Sequence, residues 1–562
     1  MEINEVKKCN LRRGADILLE VLESEGVEFI FGNPGTTELP LMDALIKCNN
    51  IKYIFALQEA SVVAMADGYA QAAKKPGFIN LHTAGGLGHG MGNLLNASVS
   101  QTPLVVTAGQ QDSRHMITDP LLFGDLVSIA KPASKWSREV SHISQLPVLV
   151  RRAFHDADAA PKGPVFLSFP MDIMEGMSDI NIGAKSTIEQ KSIAGSLVEL
   201  AIYLTAVKPG RLAIIAGDEI HYSNASSEVV KLAETLGAPV FGSSWPSRIP
   251  YPTAHHAWRG NLPTSAKDIS EKLSEYDAIF ALGGKSLITI LYSDSSALPA
   301  GCDVFQLSLD VSDLGRTYPT KLSVVGDIKK SLEMLQNHIE SIDLVYKNEY
   351  SHFSDQNKIF FDESRLRVLE LSDQKYLQNS ISPIVAAREA LRAIGTTIPI
   401  VDEALVTSGF VRKLLCSDNP GQYSFLRGGG LGWGMPAAVG CSLGYDRSPV
   451  VCLVGDGAAL YSPQALWTAA HEKLPITFVI MNNREYNILK NFMRSQKDYN
   501  AAKTGQFIAM DIINPTIDYQ ALAKSFGLPS IRIEKSCDIA EAINAGIKSG
   551  VANIVEIMIG SN

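Results

Sequence analysis

The sequence predicts an α/β protein of three domains, each a mostly parallel sheet flanked by helices. Short apolar runs of strand length alternate with longer segments of helical spacing along most of the chain. This alternation is typical of parallel sheets, because two parallel strands need a crossover connection that is usually a helix. A chain of 562 residues is also too long for one hydrophobic core, which favours about three domains.

Composition and charge exclude several classes of function. The net charge of −9, from 50 basic and 59 acidic residues, argues against a nucleic-acid partner. No apolar run is long enough to span a bilayer and the start of the chain is charged, so no membrane association is expected. The seven cysteines show no CxxC spacing, which indicates reduced thiols and a cytoplasmic protein.

The first domain is predicted over residues 11–185. Its helices are predicted at 14–25 and 59–73, and its strands at 29–31, 53–57, 78–82, 104–107 and 165–168. In this arrangement Glu59 follows a strand and opens a helix, and His82 ends a strand. By position alone, Glu59 is a favourable charge near a helix N-terminus and His82 is a polar strand tip.

The remaining chain divides into a central domain at 190–340, a surface linker at 341–378 and a third domain at 380–562. Strands of the central domain are predicted at 211–216, 239–242, 278–282 and 304–307. Its Gly283-Gly284 pair is a weak dinucleotide signal, so we expect a structural domain without a bound nucleotide. The linker shows little periodicity, and 398–403 is predicted as the first strand of the third domain.

The stretch 450–492 carries the most informative pattern. A strand at 450–454, the turn Gly455-Asp456-Gly457, an amphipathic helix and a strand at 476–481 ending in Asn482-Asn483 form a βαβ unit. Parallel strands bring Asp456 and Asn483 to one edge of the sheet. Their oxygens suit Mg²⁺, and the glycines allow a phosphate to approach the backbone. The tripeptide alone predicts only a tight turn, whereas the asparagine pair favours a metal-diphosphate site.

The Gly455-Asp456-Gly457 and Asn482-Asn483 pair resembles the metal-diphosphate motif of thiamine diphosphate enzymes. From about residue 15 onward the chain is similar to benzoylformate decarboxylases and to the wider family of 2-oxoacid decarboxylases and acetolactate synthases. The most specific similarities lie at 31–40, 56–60, 66–70 and 428–432. The resemblance implies thiamine diphosphate and Mg²⁺ as cofactors. It also implies a pyrimidine-binding first domain, a Rossmann-like central domain and a diphosphate-binding third domain.

The resemblance assigns roles to individual residues. It makes Glu59, His82 and Thr36 the catalytic candidates: the glutamate at the aminopyrimidine ring of the cofactor, the histidine in proton transfer and the threonine at the substrate carboxylate. Metal ligands are the side chains of Asp456 and Asn483 and the backbone carbonyl of Glu485. The implied cofactor-binding residues are Glu59, Gly430, Leu431, Gly455, Asp456, Gly457, Ala458, Asn483, Glu485 and Tyr486.

Other positions have no clear role or keep two interpretations. Gln110 and Gln111 either line the cofactor or are structural. Thr407 or Ser408 replaces the polar residues that the family places against the diphosphate after Glu403. His89 is expected in a loop with no family role, and no metal-ligand spacing surrounds His255-His256.

The substrate pocket implied by the family departs from that of benzoylformate decarboxylases. It contains Thr36, His82, Ile290, Ile488, Leu489 and Phe492. A second catalytic histidine of these enzymes is missing between Gly283 and Leu298, and Ile290 stands at its place. Benzoylformate is therefore doubtful as the natural substrate, and the bulk of Ile488 favours a smaller or aliphatic one.

The predicted function is non-oxidative decarboxylation of a small 2-oxoacid to an aldehyde, dependent on thiamine diphosphate and Mg²⁺. One alternative is a carboligase like acetolactate synthase, or another carbon–carbon lyase acting on a small 2-oxoacid or an acyl-CoA. A third hypothesis is a cofactor-binding protein without turnover. The resemblance further implies a homodimer or homotetramer with active sites at the subunit interface.

Overall fold

The computed structural model describes residues 11–342 and 347–561, with the backbone alone for 347–352 and 354. It contains three six-stranded sheets in which every strand pair is parallel, and one small antiparallel pair. The predicted α/β fold with three mostly parallel sheets is confirmed. Among the described residues, no helix combines the length and apolar character needed to cross a membrane.

The first sheet has the strand order β3-β2-β4-β5-β7-β6. The strands of this part of the chain are β1 (Arg12–Arg13), β2 (Phe29–Gly32), β3 (Lys52–Phe55), β4 (Gly77–His82), β5 (Leu104–Gln110), β6 (Ser137–Glu139), β7 (Pro164–Pro170) and β8 (Met177–Ser178). Strands β1 and β8 form the antiparallel pair. The helices are α1 (Gly14–Glu25), α2 (Leu39–Leu45), α3 (Glu59–Ala73), α4 (Thr83–Val99), α5 (Leu126–Ala130), α6 (Leu146–Asp158) and α7 (Met171–Glu175). The two helices predicted here, at 14–25 and 59–73, coincide with α1 and α3.

The central sheet has the order β11-β10-β9-β12-β13-β14. Its strands are β9 (Leu212–Ala216), β10 (Val240–Gly242), β11 (Trp258–Asn261), β12 (Ala278–Leu282), β13 (Asp303–Ser308) and β14 (Leu322–Val325). The accompanying helices are α8 (Leu197–Ala206), α9 (Glu219–Ser223), α10 (Ser226–Thr235), α11 (Ala266–Leu273), α12 (Ile328–Ser341) and α13 (Lys347–Tyr376). The strand order reverses direction between β9 and β12, which is the switch point of a doubly wound sheet.

The third sheet has the order β16-β15-β17-β18-β20-β19. Its strands are β15 (Ile400–Glu403), β16 (Tyr423–Phe425), β17 (Val450–Gly455), β18 (Ile476–Asn482), β19 (Ser530–Ile533) and β20 (Asn553–Met558). The helices of this part are α14 (Pro383–Ile394), α15 (Val406–Leu414), α16 (Gly434–Gly444), α17 (Asp456–Ala459), α18 (Ala465–His471), α19 (Asn487–Ser495), α20 (Asn500–Thr504), α21 (Tyr519–Ser525) and α22 (Ile539–Lys548).

The chain forms two compact units. Unit 1 contains the residues through Ile188 together with Gly428–Ser448 and Leu460–Leu474, and unit 2 contains the rest. Helices α16 and α18 therefore belong with the first sheet, although they follow the central domain in sequence. Within unit 1, α16 lies against α3 because both helices have glycine at the contact: a Cβ on Gly440 would lie 1.8 Å from the Met65 carbonyl oxygen. The Trp433 indole Nε1 donates to Asp67 on α3 at 2.8 Å and fixes the entry to α16.

Two predicted segments differ from the structure. A single amphipathic helix was expected between β17 and β18, but the structure has the short helices α17 and α18, separated by a turn that contains Pro463. Proline lacks a backbone N–H, and the preceding residue is disfavoured in helical conformation. The expected linker contains the 30-residue helix α13. Its sequence has neither glycine nor proline and many good helix formers, although its hydrophobic spacing is weak.

Candidate active site

Glu59 is the first residue of α3 and lies directly beyond the carboxyl end of β3. The Gln58 side chain caps the helix by accepting from the Ser61 N–H at 3.0 Å. The carboxyl of Glu59 is nearly buried, with 11% of its side chain exposed. Its Oε1 accepts from Asn33 Nδ2 at 3.0 Å, and its Oε2 lies 3.1 Å from His89 Nδ1. The carboxyl is thus held at both oxygens.

The assignment of His89 to a loop is wrong. Helix α4 begins at Thr83, immediately after β4, and includes His89 one residue before Gly90. The glycines made a loop the better prediction, because each costs a helix about 1 kcal/mol relative to alanine. Burial of Leu87 and Leu94 on the inner face of α4 offsets this cost.

His82 is held by a carboxylate that the sequence analysis missed. Its Nδ1 lies 2.8 Å from Glu38 Oε2, and Glu38 is buried. The hydrogen bond to Glu38 raises the pKa of His82 above its ordinary value of 6.5, against the effect of burial, and the charge of Glu59 acts in the same direction. The structure therefore brings Glu59 and His82 into one electrostatic environment. Glu38 lies in the stretch 31–40, where the sequence offered no reason to single out a carboxylate.

The side chain beside His82 is Thr37 rather than Thr36. Thr37 Oγ1 lies 3.1 Å from His82 Nδ1 and donates to Glu38 Oε1 at 2.7 Å. Thr36 starts the 3₁₀ turn Thr36–Glu38 and is exposed. The hydroxyl of Thr36 is thus available to a ligand, whereas that of Thr37 belongs to the network around Glu38.

The glycine-rich segment 428–432 is fixed by α4 within unit 1. Asn96 Oδ1 accepts from the Gly430 N–H at 3.0 Å, and Asn96 Nδ2 donates to the Gly430 carbonyl at 2.8 Å. Asn93 Nδ2 donates to the Gly432 carbonyl at 3.4 Å. Leu431, between these two anchored residues, is half-buried. The backbone around the predicted wedge residue is therefore held on both sides.

In unit 2, Asp456 and Asn483 follow neighbouring parallel strands, β17 and β18, whose register pairs Gly455 with Met481. The Asp456 carboxylate accepts from the Gly457 N–H at 2.9 Å and from the Arg484 N–H at 2.6 Å. Burial raises the pKa of Asp456 to about 6, and these two hydrogen bonds oppose the rise. The βαβ geometry predicted from the sequence thus places both oxygen-bearing side chains at one edge of the sheet.

The residues at this edge fit a magnesium-bound diphosphate. A cation would favour the ionised form of Asp456, whose burial is otherwise unfavourable, and Asn483 Oδ1 adds a neutral oxygen. Position 457 has no room for a side chain, because a Cβ on Gly457 would lie 2.6 Å from the ring of Tyr486. Ala458 is buried in α17, directly behind this turn. The Tyr519 hydroxyl, which sequence reasoning missed, donates to the Asp456 carbonyl at 2.7 Å.

Glu485 lies two residues after Asn483, in a segment that is held by several contacts. Its side chain is paired with Lys490 on α19, and Lys490 also contacts Asp511. The Tyr486 N–H donates to the Met510 carbonyl at 2.8 Å, so the segment after Asn483 is fastened to residues around 511. Lys490 was not singled out because a lysine at helical spacing usually indicates a solvated face.

The remaining predicted residues have the following positions. Ser408 donates to Asp402 Oδ1 at 2.7 Å, so its hydroxyl is used within the third domain. Gln110 is the last residue of β5 and donates to the Gly124 carbonyl at 2.8 Å, while Gln111 donates to the Leu121 carbonyl at 2.8 Å. Both amides therefore anchor the loop 121–124, as the structural interpretation proposed.

The predicted pocket residues are divided between the two units. Thr36 and His82 lie in unit 1, whereas Ile290, Ile488, Leu489 and Phe492 lie in unit 2. The last three are on α19, which confirms the helical spacing on which they were chosen. Ile290 and Leu489 are exposed, with Ile488 and Phe492 half-buried.

One cluster outside this site has metal-ligating side chains. The structure brings Glu234 to His255 and His256, so that one ligand atom of each lies within 4.8 Å of the others. However, the Ala257 N–H donates to His255 Nδ1 at 3.2 Å, which leaves the proton of a neutral ring on Nε2, the atom that faces Glu234. This arrangement is an ordinary histidine–carboxylate hydrogen bond.

Comparison with known proteins identifies three consecutive family matches. The family model described as "Thiamine pyrophosphate enzyme, N-terminal TPP binding domain" matches residues 12–121. The corresponding central-domain model matches residues 201–335, and the C-terminal TPP binding domain model matches residues 409–557. Each match covers most of the strands of one of the three sheets.

Similarity to individual proteins extends over nearly the whole chain. The chain is 29% identical to the benzoylformate decarboxylase of Pseudomonas aeruginosa over 544 residues, covering 96% of this chain and 97% of that protein. It is 24% identical to the acetolactate synthase large subunit of Buchnera aphidicola, covering 95% and 92%.

Solved structures give the same result. The 4-hydroxybenzoylformate decarboxylase of Rhodococcus jostii superimposes with a TM-score of 0.86 at 28% identity, covering 98% of this chain and 99% of that one. The benzoylformate decarboxylase of Polynucleobacter necessarius has the same TM-score, identity and coverage. The chain therefore belongs to the thiamine pyrophosphate enzyme family and is an enzyme of the group that contains benzoylformate decarboxylases and acetolactate synthases.

Proposed function

We propose that this enzyme decarboxylates a small 2-oxoacid to an aldehyde, using thiamine diphosphate and Mg²⁺. The observation that carries the proposal is a pair of acid–base groups in unit 1. The Glu59 carboxyl is hydrogen-bonded at both oxygens, and the His82 imidazole is hydrogen-bonded to the buried carboxylate of Glu38. Similarity to decarboxylases over the whole chain supports the same reaction. Thiamine diphosphate, when bound, supplies the electron sink that this decarboxylation requires.

The protein groups would bind, orient and move protons. Glu59 would hydrogen-bond the aminopyrimidine ring and hold or release a proton there, as its enclosed position allows. His82, whose pKa is raised by Glu38, would donate the proton that completes the aldehyde. The exposed hydroxyl of Thr36 would position the substrate carboxylate.

Asp456 and Asn483, with the backbone carbonyl of Glu485, would hold Mg²⁺ at the diphosphate. Oxygen ligands of this kind, completed by phosphate oxygens, suit a small hard cation. The ion pair between Glu485 and Lys490 supports this role, because it holds the segment that carries the carbonyl.

We infer a homodimer or homotetramer with active sites between subunits. The exposed face of α4 supports this inference: apart from His89 it presents only small and apolar residues, namely Gly85, Gly88, Gly92, Leu95 and Val99. A helix face without charges is typical of an interface core. Sedimentation of the cofactor-loaded enzyme measures the assembly, and a monomer that retains full activity would contradict it.

Carbon dioxide release from a panel of 2-oxoacids, with thiamine diphosphate and Mg²⁺, tests the proposed reaction. The panel should range from pyruvate through branched aliphatic acids to benzoylformate, with preference expected for the aliphatic members. Glu59→Ala should reduce turnover by about 10²–10⁴-fold with any substrate, the usual contribution of a positioned acid–base group. A fully active Glu59→Ala enzyme, or no CO₂ from any 2-oxoacid, would refute the assignment.

A carboligase like acetolactate synthase is the second candidate, because several relatives are acetolactate synthases. The central domain supports decarboxylation without a flavin. At the switch point after β9 lie two carboxyl groups: Asp218 is buried and paired with Arg427, and Glu219 accepts from Ser308 Oγ and the Leu309 N–H. The Glu219 carboxyl at this position disfavours a dinucleotide phosphate. Acetolactate formed from pyruvate, or flavin retained after purification, would favour the carboligase.

A further inference from the structure

The second hydrogen-bond partner of Glu59 is a histidine. We propose that His89 positions the Glu59 carboxyl and exchanges a proton with it. The inference rests on the proposed role of Glu59 and adds a residue to it. His89 Nδ1 lies 3.1 Å from Glu59 Oε2.

The surroundings of Glu59 leave few routes for a proton. Its side chain is only 11% exposed, and His89 contacts it from α4. The other partner, Asn33, contacts Oε1 through Nδ2, an amide nitrogen that can donate but cannot accept a proton. Among the hydrogen bonds that the described residues make to this carboxyl, only the one to His89 involves a titratable group.

The pair can hold one proton in two arrangements. An ionised Glu59 can only accept, so His89 Nδ1 then carries the hydrogen; a protonated Glu59 can donate to an unprotonated Nδ1. When the proton moves from Glu59 Oε2 to Nδ1, the proton on Nε2 can leave to water, and the ring returns to its neutral form. No electrons are gained or lost, and histidine suits the exchange because one ring nitrogen can accept a proton while the other donates one.

The sequence of α4 makes this contact possible. A Cβ on Gly86 would lie 3.3 Å from the Glu59 side chain, and one on Gly90 would lie 3.7 Å from the Glu59 carbonyl oxygen. Small residues at both positions let α4 lie against the start of α3. His89 is on the edge of this contact, and its ring faces the carboxyl.

Two substitutions separate positioning from proton transfer. His89→Leu removes both, and we expect thiamine diphosphate to bind the apoenzyme about five- to tenfold more weakly, because one hydrogen bond orienting Glu59 is lost. We also expect kcat to fall at least about tenfold with KM for the 2-oxoacid unchanged. His89→Asn keeps a donor, so cofactor affinity should return to that of the wild type while kcat stays low.

The readouts are cofactor Kd from quenching of tryptophan fluorescence, kcat, KM and the thermal midpoint. His155→Leu is the matched control, since His155 is an exposed histidine bonded to Asp156 at 2.7 Å in the same unit. It should leave all four values unchanged. In a His89→Gly enzyme, added imidazole should restore part of kcat, which it would not do for a purely structural residue.

Each outcome decides one part of the proposal. Wild-type Kd and kcat in His89→Leu would overturn it entirely. Restoration of kcat as well as affinity in His89→Asn would overturn proton transfer and keep positioning. If the wild type binds thiamine diphosphate but decarboxylates no 2-oxoacid, the proposed function fails, and the Kd comparison still tests whether His89 positions Glu59.

Discussion

Replacing Glu38 by glutamine tests the network that holds His82. Each oxygen of the Glu38 carboxylate accepts from a backbone N–H: Oε2 from Gly35 at 2.9 Å and Oε1 from Gly109 at 3.0 Å. Oε2 also bonds His82, and Oε1 accepts from Thr37 at 2.7 Å. Glutamine has one accepting oxygen and one donating NH₂ group. Whichever way the amide turns, its NH₂ group faces a backbone N–H that can only donate.

The expected magnitude follows from this geometry. One buried donor left without an acceptor costs about 1–3 kcal/mol, a factor of about 5–150 in the ratio of folded to unfolded protein. For a unit of this size that corresponds to a thermal midpoint lower by about 2–12 °C. The substitution also removes the carboxylate that raises the pKa of His82, so the pKa should fall toward 6.5.

Thermal unfolding and the pH dependence of kcat/KM measure the two effects. If protonated His82 donates a proton in the reaction, kcat/KM declines at high pH as the imidazolium is lost. A raised pKa extends the imidazolium form to higher pH, so this decline should move to lower pH in Glu38→Gln. Glu139→Gln is the control, because Glu139 accepts from Ser168 through one oxygen only, which an amide can replace. An unchanged midpoint and an unshifted profile in Glu38→Gln would refute the reasoning.

Three further predictions concern the metal-diphosphate edge. Burial raises the pKa of Asp456 to about 6. Below that pH, protons should compete with Mg²⁺ and weaken its binding about tenfold per pH unit. Equal Mg²⁺ affinities by calorimetry at pH 5 and pH 7.5 would contradict this. Gly457→Ala should weaken thiamine diphosphate binding about tenfold or more, since its Cβ would lie 2.6 Å from Tyr486. Gly409→Ala, titrated with thiamine diphosphate in the same way, is the control, because a Cβ there would meet nothing within 4 Å. Chelation should abolish CO₂ release and Mg²⁺ restore it; activity that survives chelation would exclude the metal's role.

The sequence was most informative where local pattern and long-range topology agree. Helix α3 was predicted with its observed bounds, and β17 and β18 were predicted as the parallel strands of one βαβ unit, which the structure confirms. Parallel pairing then required Asp456 and Asn483 to lie at one sheet edge, whatever the rest of the chain does. Where helix propensity and packing conflict, the prediction was wrong. The glycines around His89 indicated a loop, whereas burial of one face of α4 stabilises a helix.

The sequence by itself determined the fold class, the βαβ unit at the diphosphate turn and the family, because hydrophobic period and motif spacing are local properties. Only the tertiary structure decided which side chains orient the acid–base groups. Glu38 meets His82 across 44 residues of sequence, and His89 meets Glu59 across 30. Such contacts depend on how strands are ordered and how closely glycines let helices approach, and neither leaves a periodic signal in the chain.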